Sequence, residues 1–136
     1  MAKDVYHELT KTALISDGWI ITDDPLKSAI GRRQAFIDIG AKNLLAANRG
    51  ERDIAVEIKS FLSPSLLEDL YKAVGQYLIY KIALEESHPD KTLYLALPVT
   101  AWDTLVADEI SGYVERLDIK LLIFNQQTKQ IERWIN

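Results

Sequence analysis

The sequence predicts a single α/β domain, a mixed central sheet flanked by helices, in the order helix, three strands, helix, strand, helix, two strands. Three observations predict it. The chain has 136 residues, near the commonest length for one hydrophobic core, and no linker, repeat or low-complexity stretch divides it. Its apolar residues switch along the chain between a period near 3.6 and a period of two. The strand-helix-strand passage from Asp53 to Pro98 suggests a parallel crossover beside an antiparallel meander, hence a mixed sheet.

From Asp4 to about Asp17, Val5, Leu9, Ala13 and Ser16 recur at helical spacing, with Asp4 placed to cap the first turn and Gly18 to end the helix. Trp19 to Thr22 is rich in β-formers and stops at the turn signature Asp23-Asp24-Pro25. A loop is expected up to Gly31. Arg33 to Gly40 then alternates as one strand, with Arg33, Ala35, Ile37 and Ile39 on one side and Gln34, Phe36 and Asp38 on the other. Ala41 to Asn48 extends it past a bend, Asn48 to Glu51 reads as a hairpin turn, and Asp53 to Phe61 as the returning strand.

Ser65 with Glu68 three residues on fits a reciprocal capping box, opening a helix to about Glu86 whose apolar stripe is Leu67, Leu70, Val74, Leu78 and Ile82. His88-Pro89-Asp90 breaks it. Thr92 to Pro98 is almost continuously apolar, as a strand buried on both faces should be. Thr100 with Asp103 repeats the capping signature for a helix to about Leu117. Ile119–Asn125 and Gln130–Ile135 close the chain as two strands joined through Gln126 to Lys129.

Composition excludes several function classes. With 48% hydrophobic and 26% charged residues the chain is neither disordered nor fibrous. It has no cysteine, so no disulfide framework and no thiolate site, and His7 and His88 stand too far apart for a zinc tetrad. The longest apolar run, Leu93 to Val99, is far short of the ~20 residues of a membrane span, and the N-terminus lacks an apolar signal core, which points to the cytoplasm. Net charge is -4, an argument against indiscriminate nucleic-acid coating. Pro25 to Lys59 is nevertheless locally basic, with Lys27, Arg32, Arg33, Lys42, Arg49, Arg52 and Lys59 against Asp38, Glu51, Asp53 and Glu57. That is either a solvated face or a hint of phosphate contact. The glycines stand apart, so no phosphate-cradling loop is present, and no Gly-x-Ser-x-Gly elbow occurs.

What remains is a set of carboxylates and one lysine. On the strand through Glu57-Ile58-Lys59, period two puts Ala55, Glu57 and Lys59 on one face and Ile54, Val56 and Ile58 on the other. Pairing across the hairpin brings Asp38 near Glu57. Two like charges ~4 Å apart repel by ~4 kcal/mol at an effective dielectric of 20, so the pair wants a cation. Lys59 can supply it, as an ion-pair cluster on a half-exposed sheet face. The other outcome is Mg²⁺ or Mn²⁺ held by Asp38, Glu57 and the Ile58 carbonyl, with Lys59 serving the attacking water. Trp102 and the apolar ending Trp134-Ile135 suit either core packing or the interface of a homodimer.

The element order, with Asp38 on the second strand and Glu57-x-Lys59 on the third, resembles the restriction-endonuclease-like αβββαβ core of the PD-(D/E)XK nuclease superfamily, with a helix and two strands added. In that resemblance Glu8 of the first helix takes the place of an extra acid near the metal. Gln76 and Tyr80, one helical turn apart, look like the Gln-x-x-x-Tyr motif of the RecB-like branch and would brace the site or touch DNA. Ile37 stands where the motif has proline. Each match also has a plain alternative, since Glu8 suits the helix dipole and the Gln76–Tyr80 stripe suits helix packing.

Over nearly the whole chain, Phe36 to Ala41, Ala55 to Phe61 and Leu70 to Tyr80 resemble the XisH family, cyanobacterial factors named for controlling excision of a DNA element from the fdxN locus during heterocyst development. The resemblance implies a cytoplasmic protein that works on DNA with a small XisI-like partner and, indirectly, a site-specific recombinase. Two functions fit it: a metal-dependent endonuclease, or a catalytically silent accessory factor that binds DNA or protein.

Overall fold

In the computed structural model, which describes residues 2–44 and 53–136, the chain runs α1 (Ala2–Ser16), β1 (Ile20–Asp23), β2 (Leu26–Ile30), β3 (Arg33–Ile37), β4 (Ile39–Lys42), β5 (Asp53–Ile58), α2 (Leu66–Ser87), β6 (Thr92–Pro98), α3 (Val99–Ala107), α4 (Ser111–Arg116), β7 (Leu121–Asn125) and β8 (Gln130–Ile135). Six strands form one sheet in the order β1-β4-β5-β6-β7-β8, and β2 with β3 form a separate hairpin. Strands β5, β6 and β7 are parallel; β1, β4 and β8 join antiparallel. The mixed sheet expected from the β5-α2-β6 passage is therefore present.

Alternation on the central strands divides the core in two. Leu93, Leu95 and Leu97 of β6 face α2 and α3, packing with Tyr77, Leu84 and Leu105. Tyr94 and Ala96 face α1, packing with Ala13, Leu14 and Phe124. Tyr77 ties α2 down by its hydroxyl, which donates to the Leu93 carbonyl at 3.0 Å and accepts from the Lys120 amide at 3.1 Å. Both expected faces of β5 exist, but neither is half-exposed: Ala55 packs under α2, and Ile54 and Val56 pack under α1.

Several boundaries differ from expectation. Arg33 to Gly40 is two strands, not one: β3 pairs with β2, while β4 joins the main sheet, and Asp38 is the bend between them. The segment expected as a loop before Gly31 is β2, because the turn at Gly31, at φ +59, lets Ile30 pair with Arg33. Strand β4 ends at Lys42, and the hairpin turn placed at Asn48 to Glu51 lies outside the described residues. Helix α1 starts at Ala2, so Asp4 is inside it rather than capping it; Val5 is exposed, while Thr10, Ala13 and Leu14 are buried.

The Ser65 side chain caps α2 by accepting the Glu68 amide at 3.2 Å. The reverse half of the box is replaced, since the Ser65 amide donates to Ser63 Oγ. The second capping signature is not one: α3 begins at Val99 straight out of β6, with Pro98 as cap residue and Thr100 already in the helix. The single helix expected to Leu117 is broken between α3 and α4, where Glu109 takes φ +59. The buried face of α2 is Leu70, Ala73, Tyr77 and Leu84; of the expected stripe, Leu67, Leu78 and Ile82 are exposed. Trp102 is buried in the core, and Trp134 packs on Trp19 and Tyr94, with ring centroids 5.5 and 4.9 Å apart. Trp102 therefore has the core role, while Trp134 keeps part of its surface exposed. No helix among the described residues is long and apolar enough to cross a membrane.

Candidate functional site

The break between β3 and β4 builds the site. Register on β4 and β5 pairs Ile39 with Val56, so the next residues outward, Asp38 and Glu57, sit side by side at the end of the ladder. They are bonded reciprocally. The Asp38 amide donates to Glu57 Oε1 at 3.2 Å, and the Ile58 amide donates to Asp38 Oδ2 at 2.9 Å. Glu57 is 6% exposed, and Lys59 Nζ lies 3.7 Å from Glu57 Oε2. The Lys59 amide donates to the Ala96 carbonyl at 2.9 Å, which extends the parallel ladder just far enough to fix where that side chain starts. Asp38, Glu57 and Lys59 are thus brought together.

Tyr80 reaches the same place from α2. Burial first, then the negative charges of Glu57 and Asp38, push its phenol above the usual tyrosine pKa, with the hydrogen bond from Gln76 opposing them. The phenol stays protonated at neutral pH, a neutral neighbour to two acids. Gln76 Nε2 donates to the Tyr80 hydroxyl at 2.9 Å, so the two residues one turn apart do act as a unit. Gln76 Oε1 is buried with no hydrogen-bond partner among the described residues.

A small open pocket beside Asp38 is lined by Tyr6, His7, Asp38, Ile58 and Ser60. Ile58 therefore lines the pocket next to Asp38. Glu8 is not among the lining residues: its side chain is 69% exposed and it pairs with Lys11 at 3.6 Å. The first helix instead presents His7. His7 Nε2 is 2.7 Å from Asp24 Oδ1, and Lys11 Nζ is 2.8 Å from Asp24 Oδ2. The Lys11 hydrogen bond holds the Asp24 carboxyl below the usual carboxylate range, and Asp24 in turn raises Lys11. Ligand atoms of His7, Glu8 and Asp24 lie within 4.8 Å of one another, an exposed cluster. His7 carried no signal in the sequence, since its partner is seventeen residues away on the turn after β1.

The donor set suits a hard divalent cation. Two carboxylates and a neighbouring main-chain carbonyl are oxygen ligands of the kind Mg²⁺ and Mn²⁺ take, with water filling the remaining positions.

Comparison with known proteins shows the family. A family model described as XisH protein matches residues 1–132. The chain is similar to an XisH family protein from Nostoc punctiforme PCC 73102, with 37% identity, TM-score 0.87, and coverage of 98% of this chain and 100% of the other. It is similar also to a fdxN element excision controlling factor protein from Anabaena variabilis, with 38% identity, TM-score 0.86, and coverage of 98% and 99%. No curated protein matches it. A match over nearly the whole length, with two solved structures above 30% identity, decides the matter: the chain belongs to the XisH family.

Proposed function

We propose that this protein is a Mg²⁺- or Mn²⁺-dependent DNA endonuclease of PD-(D/E)XK type that takes part in controlling excision of a DNA element. The observation that carries the reading is the reciprocal bonding of Asp38 and Glu57 with Lys59 beside them. A structural ion pair needs one acid and one base. Here a second acid, buried or half-buried, is held next to the first by two backbone amides.

Asp38, Glu57 and the Ile58 carbonyl would hold the ion, which supplies Lewis-acid polarisation of a phosphate. Lys59 orients the attacking water and offsets charge that develops on the phosphoryl oxygens. Water adds across the phosphodiester: one P–O bond forms, one breaks, and a phosphate end and a hydroxyl end are left. Gln76 and Tyr80 brace the site from α2, and His7, oriented by Asp24, closes the pocket on the α1 side. In keeping with the family, the protein would act in the cytoplasm with an XisI-like partner and, indirectly, a recombinase that exchanges strands.

A second reading is an accessory factor that binds DNA or protein without cleaving. Each carboxylate already accepts a backbone amide, which accounts for both as clamps at the end of the β4–β5 ladder. The Anabaena variabilis relative is called a controlling factor rather than a nuclease. Nicking of supercoiled DNA separates the two. On the first reading the protein nicks in Mg²⁺ or Mn²⁺, and Asp38→Ala or Lys59→Ala abolishes it. Failure to nick duplex, branched or single-stranded DNA in either metal, with and without the partner, leaves the second.

A further inference from the structure

The β2–β3 hairpin stands apart from the main sheet and carries charge of one sign. Pro25 to Ile37 holds three basic residues, Lys27, Arg32 and Arg33, and no acidic one, in a chain of net charge -4. All three are exposed, and none pairs with an acid among the described residues. Elsewhere Lys11, Lys59 and Lys91 each lie against a carboxylate.

Register gives the hairpin two faces. Leu26, Ser28 and Ile30 stand opposite Ile37, Ala35 and Arg33, and this side is buried at its base. It is fixed to the C-terminal end of α2, where Ser28 Oγ is 2.8 Å from Ser87 Oγ and His88 Nε2 donates to the Lys27 carbonyl at 2.9 Å. The other side, with Lys27 opposite Phe36 and Ala29 opposite Gln34, is exposed throughout. Gly31, at φ +59, forms a two-residue turn with Arg32, so Arg32 and Arg33 stand at the free end. A Cβ on Gly31 would meet nothing within 4 Å, which leaves the tip clear of the rest of the fold. At the other end, Ile37 is followed directly by Asp38 of the candidate site.

We infer that this hairpin is an arm that lies along duplex DNA, with Arg32, Arg33 and Lys27 on backbone phosphates, a role that rests on the reading that the protein acts on DNA, with or without cleavage. A two-stranded ribbon fits the major groove, ~12 Å wide. Arginine matches phosphate oxygens with a planar fork of donors. The arm's charge offsets the repulsion that the acidic remainder of the chain exerts on a polyanion. Arg33 lies five residues before Asp38, ~16 Å along an extended strand, or ~5 base pairs of duplex.

The test is fluorescence anisotropy of a labelled duplex titrated with the full chain in EDTA, over a range of salt concentrations. Wild type is expected to bind with an affinity that falls as salt rises. Arg32→Ala with Arg33→Ala is expected to weaken binding about tenfold or more and to lower the slope of log K against log salt by ~2. Arg116→Ala with Lys129→Ala removes the same charge from exposed positions outside the hairpin and is expected to change neither. Arg32→Lys with Arg33→Lys keeps the charge and should keep the slope, which separates a lost contact from a lost fold. An alanine variant of the arm that matches wild type in affinity and slope overturns the proposal and leaves the DNA reading standing. An equal loss in the Arg116 and Lys129 variant does the same. Wild type that binds no duplex at low salt overturns both.

Discussion

Asp38 and Glu57 hold each other's backbone: the Asp38 amide donates to the Glu57 carboxylate, and the Asp38 carboxylate accepts the amide that follows Glu57. Charge-assisted bonds of this kind contribute ~1.5–3 kcal/mol each, comparable with the ~4 kcal/mol by which two such charges repel at ~4 Å. The arrangement therefore tolerates two neighbouring acids, with Lys59 beside Glu57.

A shape-preserving change should separate charge from clamp. Asp38→Asn keeps an acceptor for the Ile58 amide and removes the repulsion, so its stability in EDTA is expected to equal or exceed wild type. Asp38→Ala orphans that amide and should cost ~1–3 kcal/mol. Mg²⁺ should raise the melting temperature of wild type and leave Asp38→Asn unmoved, by the linkage that gives ~2.7 kcal/mol at a hundredfold excess over Kd. Thermal melts with and without metal read both effects.

Lys59 is the group whose loss should silence cleavage while the fold survives, since it is partly exposed and its ladder bond uses only the backbone amide. Lys59→Ala should lower the nicking rate by ~10²-fold or more. Lys59→Arg should not restore it, because a planar fork does not reproduce a compact ammonium at 3.7 Å from Glu57.

Tyr77 tests the packing of α2. Its hydroxyl serves both the Leu93 carbonyl and the Lys120 amide, at 1% exposure. Tyr77→Phe leaves both without their bond and is expected to destabilise the protein by ~1–3 kcal/mol, measured as a fall in the urea midpoint at unchanged slope.

Acid should expose the His7–Asp24–Lys11 cluster. The folded Asp24 carboxyl has a lowered pKa, so its contribution is present above the ordinary ~3.9 and is lost as the pH falls through the lowered value. Lys11 is raised, so its contribution is present below the ordinary ~10.4 and is lost as the pH rises through the raised value. Asp24→Asn should flatten the stability profile at both ends. Urea midpoints taken across pH would show a wild-type profile as flat as the variant's if the cluster contributes nothing.

The pairing of Asp38 with Glu57 was legible because alternation fixes which residues face each other once two strands are antiparallel. The break at Asp38 was not. Ile37 and Ile39 are buried whether they belong to one strand or to two, so the pattern carries no trace of a change of sheet. On α2 the register failed because apolar residues surround the helix. Leu67, Leu78 and Ile82 satisfy a 3.6 period as well as Leu70, Tyr77 and Leu84 do, and only the sheet beneath selects between them. His7 stayed hidden because the Asp24 that orients it belongs to another element. Glu8 was singled out only through the resemblance to the nuclease superfamily, and its side chain is 69% exposed.

Calorimetric titration with Mn²⁺ tests the central claim most directly, on wild type and on Glu57→Gln, which keeps an acceptor for the Asp38 amide. The account predicts a saturable heat for one ion per chain in wild type and its loss in the variant. No heat in wild type, or the same heat in Glu57→Gln, would contradict it.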